Sequence, residues 1–206
     1  MKRLFVALAL VLALGNGSFA TQVLLNRGFE DSTGHGNYWT VSGIPIDQYA
    51  GAWMSPGQCP ATSGPWGLDL VNNWGISNGT CSQTYYATPG VYQIDGSGWF
   101  RLFSGVGTGV SFARIRIFVD GVKVTENQLN GTNGVWTDWT KLIVPTWTGQ
   151  VNSSIEFRVA LRADGTGGWG QSVGDLMYMD VTPVPEPASI LALVAGLGGL
   201  IVRRRK

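Results

Sequence analysis

Residues 155–162 have the sequence IEFRVALR, the clearest indication of the fold in the chain. Every second side chain is apolar: Ile155, Phe157, Val159 and Leu161. Because successive side chains of a strand point to opposite faces, these four residues form one apolar face and their neighbours form the other. The pattern therefore predicts a half-buried β-strand that covers a hydrophobic core.

The same alternation occurs on both sides of a turn signal in residues 114–125, which have the sequence RIRIFVDGVKVT. Asp120-Gly121 between two alternating runs is typical of a tight β-hairpin. Clusters of Gly, Asn, Ser and Pro separate further expected strands at 22–26, 38–42, 67–71, 81–87, 91–95, 98–104, 136–144 and 176–182. Many short strands without helices predict an all-β, antiparallel sandwich.

The N-terminal end has the order of a secretory signal peptide. Lys2 and Arg3 precede an apolar run over 4–14, and a small-residue site, Ser18-Phe19-Ala20, follows. The run is too short for a comfortable permanent membrane span. A buried core helix is the alternative, but it would show a polar face. We therefore expect signal peptidase to remove residues 1–20.

The C-terminal end combines an extended triplet, an apolar run and a basic tail. Prolines 185 and 187 keep the chain around Glu186 out of a helix. Residues 188–202 predict a short transmembrane helix, and the terminal cations predict a cytoplasmic tail. Both ends thus predict the same topology, with the middle domain outside. An ordinary C-terminal anchor is the alternative.

These C-terminal residues resemble a PEP-CTERM sorting signal. The resemblance rests on Val184-Pro185-Glu186-Pro187, the short Gly-rich apolar run and the tail Arg203-Arg204-Arg205-Lys206. It implies recognition by exosortase, cleavage near the Pro-Glu-Pro triplet, and release or transfer of the domain to the cell surface. The expected organisation is a signal peptide at 1–20, a β-sandwich domain at 21–183 and a sorting signal at 184–206.

The whole chain has a formal net charge of +1, but its middle domain has a different net charge. Six of the 14 Lys and Arg residues and one of the 13 Asp and Glu residues lie in the two end segments. Eight basic and twelve acidic residues remain, so residues 21–183 have a net charge of −4. This balance argues against nucleic acid as a partner.

Two cysteines, Cys59 and Cys81, lie in the middle domain. Exported proteins form disulfides in oxidising compartments, so we expect these two residues to pair. Two reduced thiols or a redox site are the alternatives. A disulfide closing this loop would constrain the unfolded chain by about 3 kcal/mol.

The two ends of the middle domain resemble galactose-binding-like jelly-roll domains, which include many carbohydrate-binding modules. The similar residues are Leu25-Asn26-Arg27-Gly28-Phe29-Glu30 at the opening, Tyr178-Met179-Asp180-Val181 at the close, and the internal run 136–140. The resemblance implies a jelly roll; a different β-sandwich is the alternative. It also implies a structural calcium held by Glu30 and Asp180, which alternatively are exposed or turn-capping carboxylates.

Nine tryptophans lie between positions 39 and 169. Five of them lie in segments rich in Gly, Asn, Ser and Pro: Trp39, Trp53, Trp66, Trp74 and Trp169. Indole faces stack on sugar rings, and the nearby polar groups of Gln48, Asp69, Asn72 and Asn73 could bind hydroxyls. These five residues are the candidate glycan contacts. In the alternative, their rings close the ends of the sandwich or brace the cysteine loop.

No residue pattern selects a catalytic site. His35 is the only histidine, and no Gly-x-Ser-x-Gly motif accompanies it. We therefore expect a non-catalytic domain that needs no cofactor apart from this calcium. The sequence predicts an exported surface or matrix protein that binds exopolysaccharide or another glycan. The alternative is a structural or adhesive matrix protein without a specific sugar ligand.

Overall fold

The computed structural model describes residues 20–48, 59–60, 64, 66–107 and 109–185. Its elements are twelve β-strands: β1 (Thr21–Gln22), β2 (Thr40–Ser42), β3 (Ile46–Gln48), β4 (Trp66–Asn73), β5 (Ile76–Tyr86), β6 (Gly90–Phe103), β7 (Phe112–Val119), β8 (Val122–Asn130), β9 (Thr140–Ile143), β10 (Trp147–Val151), β11 (Ser154–Asp164) and β12 (Trp169–Pro183). Across these ranges, no helix has the length and apolar character of a membrane span.

The strands form two antiparallel sheets that pack face to face. The seven-stranded sheet has the order β10-β6-β12-β4-β3, with β1 paired to β12 and β9 paired to β6. The five-stranded sheet has the order β2-β5-β11-β7-β8. Side chains from the inner faces of both sheets form one hydrophobic core. This architecture confirms the predicted all-β sandwich.

Strand β11 follows the alternation read from its sequence. Its residues Ile155, Phe157, Val159 and Leu161 are buried in the core. Neighbouring Glu156, Arg158 and Arg162 lie on the outer face of the five-stranded sheet. β11 pairs with β5 on one side and β7 on the other, so it is a central strand.

The predicted hairpin is also present, between β7 and β8. Asp120 and Gly121 have φ angles of +49° and +81°. Two consecutive residues in the left-handed region give the turn whose twist matches paired strands. A Cβ on Gly121 would meet no atom within 4 Å, so its φ angle and not the space around it favours glycine.

The first and last strands run side by side, as the jelly-roll resemblance implies. Thr21 pairs with Val181 and Gln22 pairs with Asp180. The twelve strands of the described residues lie between Thr21 and Pro183, and the boundaries of the middle domain remain a prediction. The two predicted end segments, 1–20 and 184–206, lie outside the described residues except for Ala20, Val184 and Pro185.

Candidate functional site

Trp74 is the most exposed tryptophan among the described residues and lies in the turn between β4 and β5. Its side chain is 78% exposed. Its backbone has a φ angle of +62°, which costs a residue with a Cβ about 1–2 kcal/mol. The turn is held in place because the Trp74 N–H donates to the Gly168 carbonyl at 2.8 Å. Residues held in unfavourable backbone regions are found frequently at functional sites.

Three aromatic rings, of Phe103, Trp136 and Trp169, form a cluster at the same end of the seven-stranded sheet. Phe103 lies 5.1 Å from Trp169 and 5.5 Å from Trp136, and the two tryptophan rings are 5.6 Å apart, all between ring centroids. Their planes are tilted by 43–69° from one another. We call these three residues the aromatic cluster. Its rings offer separate stacking faces and no single flat platform.

Trp74 and the aromatic cluster are adjacent. Trp169 pairs with Asn73, the residue before Trp74, at the start of the β12–β4 pairing. Gly168, which accepts the Trp74 hydrogen bond, precedes Trp169 directly. The fold thus brings together Trp74 and Trp169, two of the five tryptophans proposed from the sequence.

Polar side chains lie on the same outer face as Trp169. Gln171 is two residues further along β12, and its amide donates to the Asp69 carboxylate at 2.6 Å. The pKa of Asp69 is raised overall. Burial is the largest cause and the charge of Asp47 adds to it, while the hydrogen bond from Gln171 acts in the opposite direction. Asn73 is exposed, whereas the Asn72 amide donates to the Ser77 hydroxyl. Asn73 is therefore the amide best placed to meet a ligand.

The sequence did not identify Trp136 and Phe103 as site residues. The sequence predicts a strand over 136–144 that includes Trp136, but the observed strand, β9, spans only Thr140–Ile143. The segment before it is fixed to β6, because Arg101 Nε donates to the Thr137 carbonyl at 2.7 Å and the Arg101 guanidinium lies 5.4 Å from the Trp136 ring centroid. Gly134, with a φ angle of +69°, is the sequence signal for a turn here.

Trp39 belongs to the core, so the prediction that it contacts glycan is wrong. Its side chain is 8% exposed and packs against Phe29 and Phe157, with ring centroids 5.3 and 6.3 Å away. The indole Nε1 donates to the Asn26 carbonyl at 3.1 Å. The segment between β1 and β2, residues 23–39, is called the opening loop. Its residues Asn26 and Phe29 contact this ring and bury it against the core, as the alternative interpretation expected.

Trp66 lies at the opposite end of β4 from Trp74. Its ring stacks on His35 with centroids 3.5 Å apart and planes 11° apart. The His35 Nδ1 in turn lies 2.8 Å from the Phe29 carbonyl oxygen. One face of Trp66 is therefore occupied within the protein. Trp53, the fifth candidate, and the side chain of Gln48 lie outside the described residues.

The two cysteines, both in described positions, are not joined by a disulfide, which corrects the prediction. Cys81 is on the inner face of the five-stranded sheet, within the core. Cys59 packs against Val173, whose register with Arg101 places it on the outer face of the seven-stranded sheet. A whole sheet separates them, and packed sheets are about 10 Å apart. Disulfides need Cα atoms closer than about 7 Å.

The predicted calcium ligands are at different places. Glu30 Oε1 accepts the Trp66 N–H at 3.0 Å, and a Cβ built on Gly28 would lie 3.8 Å from both Glu30 Cγ and Asp175 Oδ1. Asp180 lies further along β12, opposite Asp95 of β6. Five residues of strand separate Asp175 from Asp180 by roughly 15 Å. Glu30 and Asp180 therefore do not fit one ion, and no group of three His, Cys, Asp or Glu side chains in the described ranges could hold a metal.

Comparison with known proteins shows the fold. No protein-family model and no curated protein matches the chain. TmCBM61, solved in complex with β-1,4-galactotriose, has a TM-score of 0.50 and 20% identity, over 77% of this chain and 97% of that chain. At this identity the likeness extends to the fold alone, which is the jelly roll of carbohydrate-binding modules.

Two further solved structures are similar at lower scores. The CBM22-1 xylan-binding domain of Xyn10C from Paenibacillus barcinonensis has a TM-score of 0.46 and 15% identity, over 81% of this chain and 97% of that domain. A family 35 carbohydrate binding module from Clostridium thermocellum has a TM-score of 0.37 and 18% identity, over 80% of this chain and all of that module.

Proposed function

We propose that residues 21–183 form a non-catalytic module that binds a glycan chain through Trp74 and the aromatic cluster. The observation that carries the proposal is the position of Trp74, whose ring is exposed on a strained turn beside Trp169. The solved complex of TmCBM61 with β-1,4-galactotriose, a protein of the same fold, supports a saccharide as the class of ligand.

In this proposal the rings supply contact area and the neighbouring polar groups supply orientation. The apolar face of a sugar ring stacks on the Trp74 indole, since both surfaces are flat and lose water together. The exposed Asn73 amide, which lies opposite Trp169, then exchanges hydrogen bonds with hydroxyl groups. The tilt between the cluster rings favours a ligand that turns along its length over a fully extended one.

Affinity electrophoresis of residues 21–183 through gels containing the native exopolysaccharide, β-1,4-galactan or xylan tests this proposal. We expect retardation by at least one polymer, and Trp74→Ala and Trp169→Ala to reduce it about tenfold or more, which corresponds to about 1.4 kcal/mol. Tyr86→Ala is the matched control, because Tyr86 is 80% exposed but belongs to the five-stranded sheet. Equal retardation of all variants, or none for the unmodified domain, would contradict the proposal.

We also propose that the protein is exported and sorted by exosortase. The support comes from the sequence of the two end segments, since the observed cysteine positions no longer argue for an oxidising compartment. Pro185, the first residue of the Pro-Glu-Pro triplet, is exposed two residues after the end of β12; Glu186 and Pro187 lie outside the described residues.

Expression of variants in the native host tests the sorting proposal. We expect both Glu186→Ala and deletion of residues 203–206 to leave unprocessed protein in the inner membrane. The first variant lacks the glutamate of the Pro-Glu-Pro triplet, and the second lacks the basic tail of the sorting signal. Immunoblotting of membrane and surface fractions measures this, with Asp138→Ala as a control outside the signal. Normal processing of both signal variants would count against exosortase.

A further inference from the structure

The charges of the domain are divided between the outer faces of its two sheets. The strands of the five-stranded sheet carry five cations and three anions: Arg114, Arg116, Lys123, Arg158, Arg162, Glu126, Glu156 and Asp164. The strands of the seven-stranded sheet carry five anions and two cations: Asp47, Asp69, Asp95, Asp175, Asp180, Arg101 and Lys141. A domain of net charge −4 therefore has one face with a net charge of +2.

Four of these cations surround a single small side chain, Ala160. Ala160 pairs with Arg114 across β11 and β7, and Arg158 pairs with Arg116 in the same register. Arg158 and Arg162 are two residues before and after Ala160, so all three side chains point to the same outer face. We call Arg114, Arg116, Arg158 and Arg162, with Ala160 between them, the arginine hollow.

This arrangement is unfavourable without anions. Like charges directly opposite each other across a sheet destabilise the pairing. Glu156 accepts two hydrogen bonds from Arg158, at 2.8 and 2.9 Å, and Glu126 accepts one from Arg116 at 3.2 Å. These acids offset part of the repulsion and leave an excess of positive charge on the face.

The guanidinium groups retain donors for a ligand. Arg114 uses Nε to reach Gln128 at 2.6 Å, and Arg116 uses Nε to reach Glu126. Within the described residues, the Nη groups of these two side chains donate to no protein acceptor, and the buried Nε of Arg162 has no hydrogen-bond partner. Planar guanidinium groups with open donors suit carboxylates, which they bind through paired hydrogen bonds.

A groove of about 390 Å³ borders the arginine hollow at Arg116 and Ala160. Its lining combines an aromatic ring, hydroxyl groups, an amide and a cation, from residues that include Ser42, Asn78, Thr80, Phe112 and Arg116, with Ala160 among them. This combination suits a sugar ring, whose apolar face meets Phe112 while its hydroxyl groups meet the polar side chains.

We propose that the arginine hollow binds the carboxylate-bearing sugars of an acidic polysaccharide. The site is separate from the aromatic cluster, which lies on the other sheet, so this inference goes beyond the proposed function. Glu126, Glu156 and Asp164 interrupt the positive charge of this face, so it lacks the continuous basic stripe that binds nucleic acids. The groove adds contacts to a sugar ring and its hydroxyl groups that do not depend on charge.

Binding of polygalacturonate to residues 21–183 at low ionic strength tests this proposal, with fully methyl-esterified polygalacturonate as the uncharged probe. We expect the double variant Arg114→Gln/Arg116→Gln to raise the dissociation constant for polygalacturonate at least tenfold. The matched control is Arg27→Gln/Lys141→Gln, which also removes two positive charges, from side chains beside Tyr178 on the seven-stranded sheet. It should change the dissociation constant for polygalacturonate less than twofold. Circular dichroism and melting temperature check that each variant is folded.

Three results would overturn the proposal: equal binding of the esterified polymer, equal weakening by both double variants, or tighter binding of single-stranded DNA than of polygalacturonate. Trp74→Ala separates the two sites. It should leave polygalacturonate binding intact, whereas Arg114→Gln/Arg116→Gln should leave retention on the neutral glycan intact. Failure of either site therefore does not imply failure of the other.

Discussion

At the scale of single residues, Trp39 and Trp74 show how similar sequence contexts lead to opposite environments. Both tryptophans lie in segments rich in small and polar residues. Trp39 is covered by the opening loop and donates its indole N–H to the Asn26 carbonyl, whereas Trp74 lies on a turn and is 78% exposed. One ring stabilises the core and the other is free to meet a ligand.

Substitution of these two residues should separate stability from binding. We expect Trp39→Ala to lower the free energy of unfolding by about 3–5 kcal/mol, because a large core side chain is lost. Trp74→Gly should leave it unchanged or raise it, because glycine adopts a φ angle of +62° without strain. Urea denaturation measures both, and a large loss of stability for Trp74→Gly would show that its ring packs within the fold.

At the scale of elements, Asp120 connects the β7–β8 turn to the turn between β10 and β11. Its carboxylate accepts the backbone N–H groups of Asn152, Ser153 and Ser154 at 2.8–3.0 Å. The hydrogen bonds from Asn152 and Ser154 contribute most to lowering the pKa of Asp120 to about 2. The ionised form is therefore the one that holds the two turns together.

This connection predicts a pH dependence. The pKa of Asp120 is lower in the folded chain than the value near 3.9 expected in the unfolded chain. Ionised Asp120 therefore stabilises the fold above about pH 4, and this stabilisation is lost as the pH falls towards 2. Asp120→Asn keeps a residue that tolerates the left-handed region but removes the charge. We expect it to lower the melting temperature at pH 7 and to have little effect at pH 2; a difference independent of pH would contradict this explanation.

Strand β6 shows where local sequence misleads about an element. The run Asp95-Gly96-Ser97-Gly98 suggested a break between two strands, but β6 is continuous over Gly90–Phe103. A Cβ on Gly98 would lie 2.5 Å from the Met177 sulfur, and one on Gly96 would lie 3.0 Å from Ile117 and Val144. These glycines permit close packing against the core and do not form a turn.

At the scale of the whole molecule, the sandwich separates groups that the sequence places close together. Cys59 and Cys81 are only 22 positions apart, yet a sheet lies between their clusters. The same two layers separate the acidic and basic outer faces. Burial raises the pKa of the Cys81 thiol, so its reactive thiolate is scarce in the folded protein.

Thiol titration tests this arrangement. We expect neither cysteine to react with an aromatic disulfide reagent in the folded domain, because both side chains are buried. In denaturant without a reducing agent, both should react. If no thiol appears under those conditions, the protein contains the disulfide that the sequence suggested. The variant Cys81→Ser, which leaves one thiol, calibrates the measurement.

Residue patterns along the chain were sufficient to predict the two-residue alternation of β11, the Asp120-Gly121 hairpin and the all-β class. These features depend only on residues that are close in sequence, because a strand points successive side chains to opposite faces. Three properties became clear only from the arrangement of the strands in space: which tryptophans are exposed, that Cys59 and Cys81 lie apart, and that four arginines lie around Ala160. Those properties depend on which strands become neighbours and which face each loop covers, and contacts between residues distant in sequence set both.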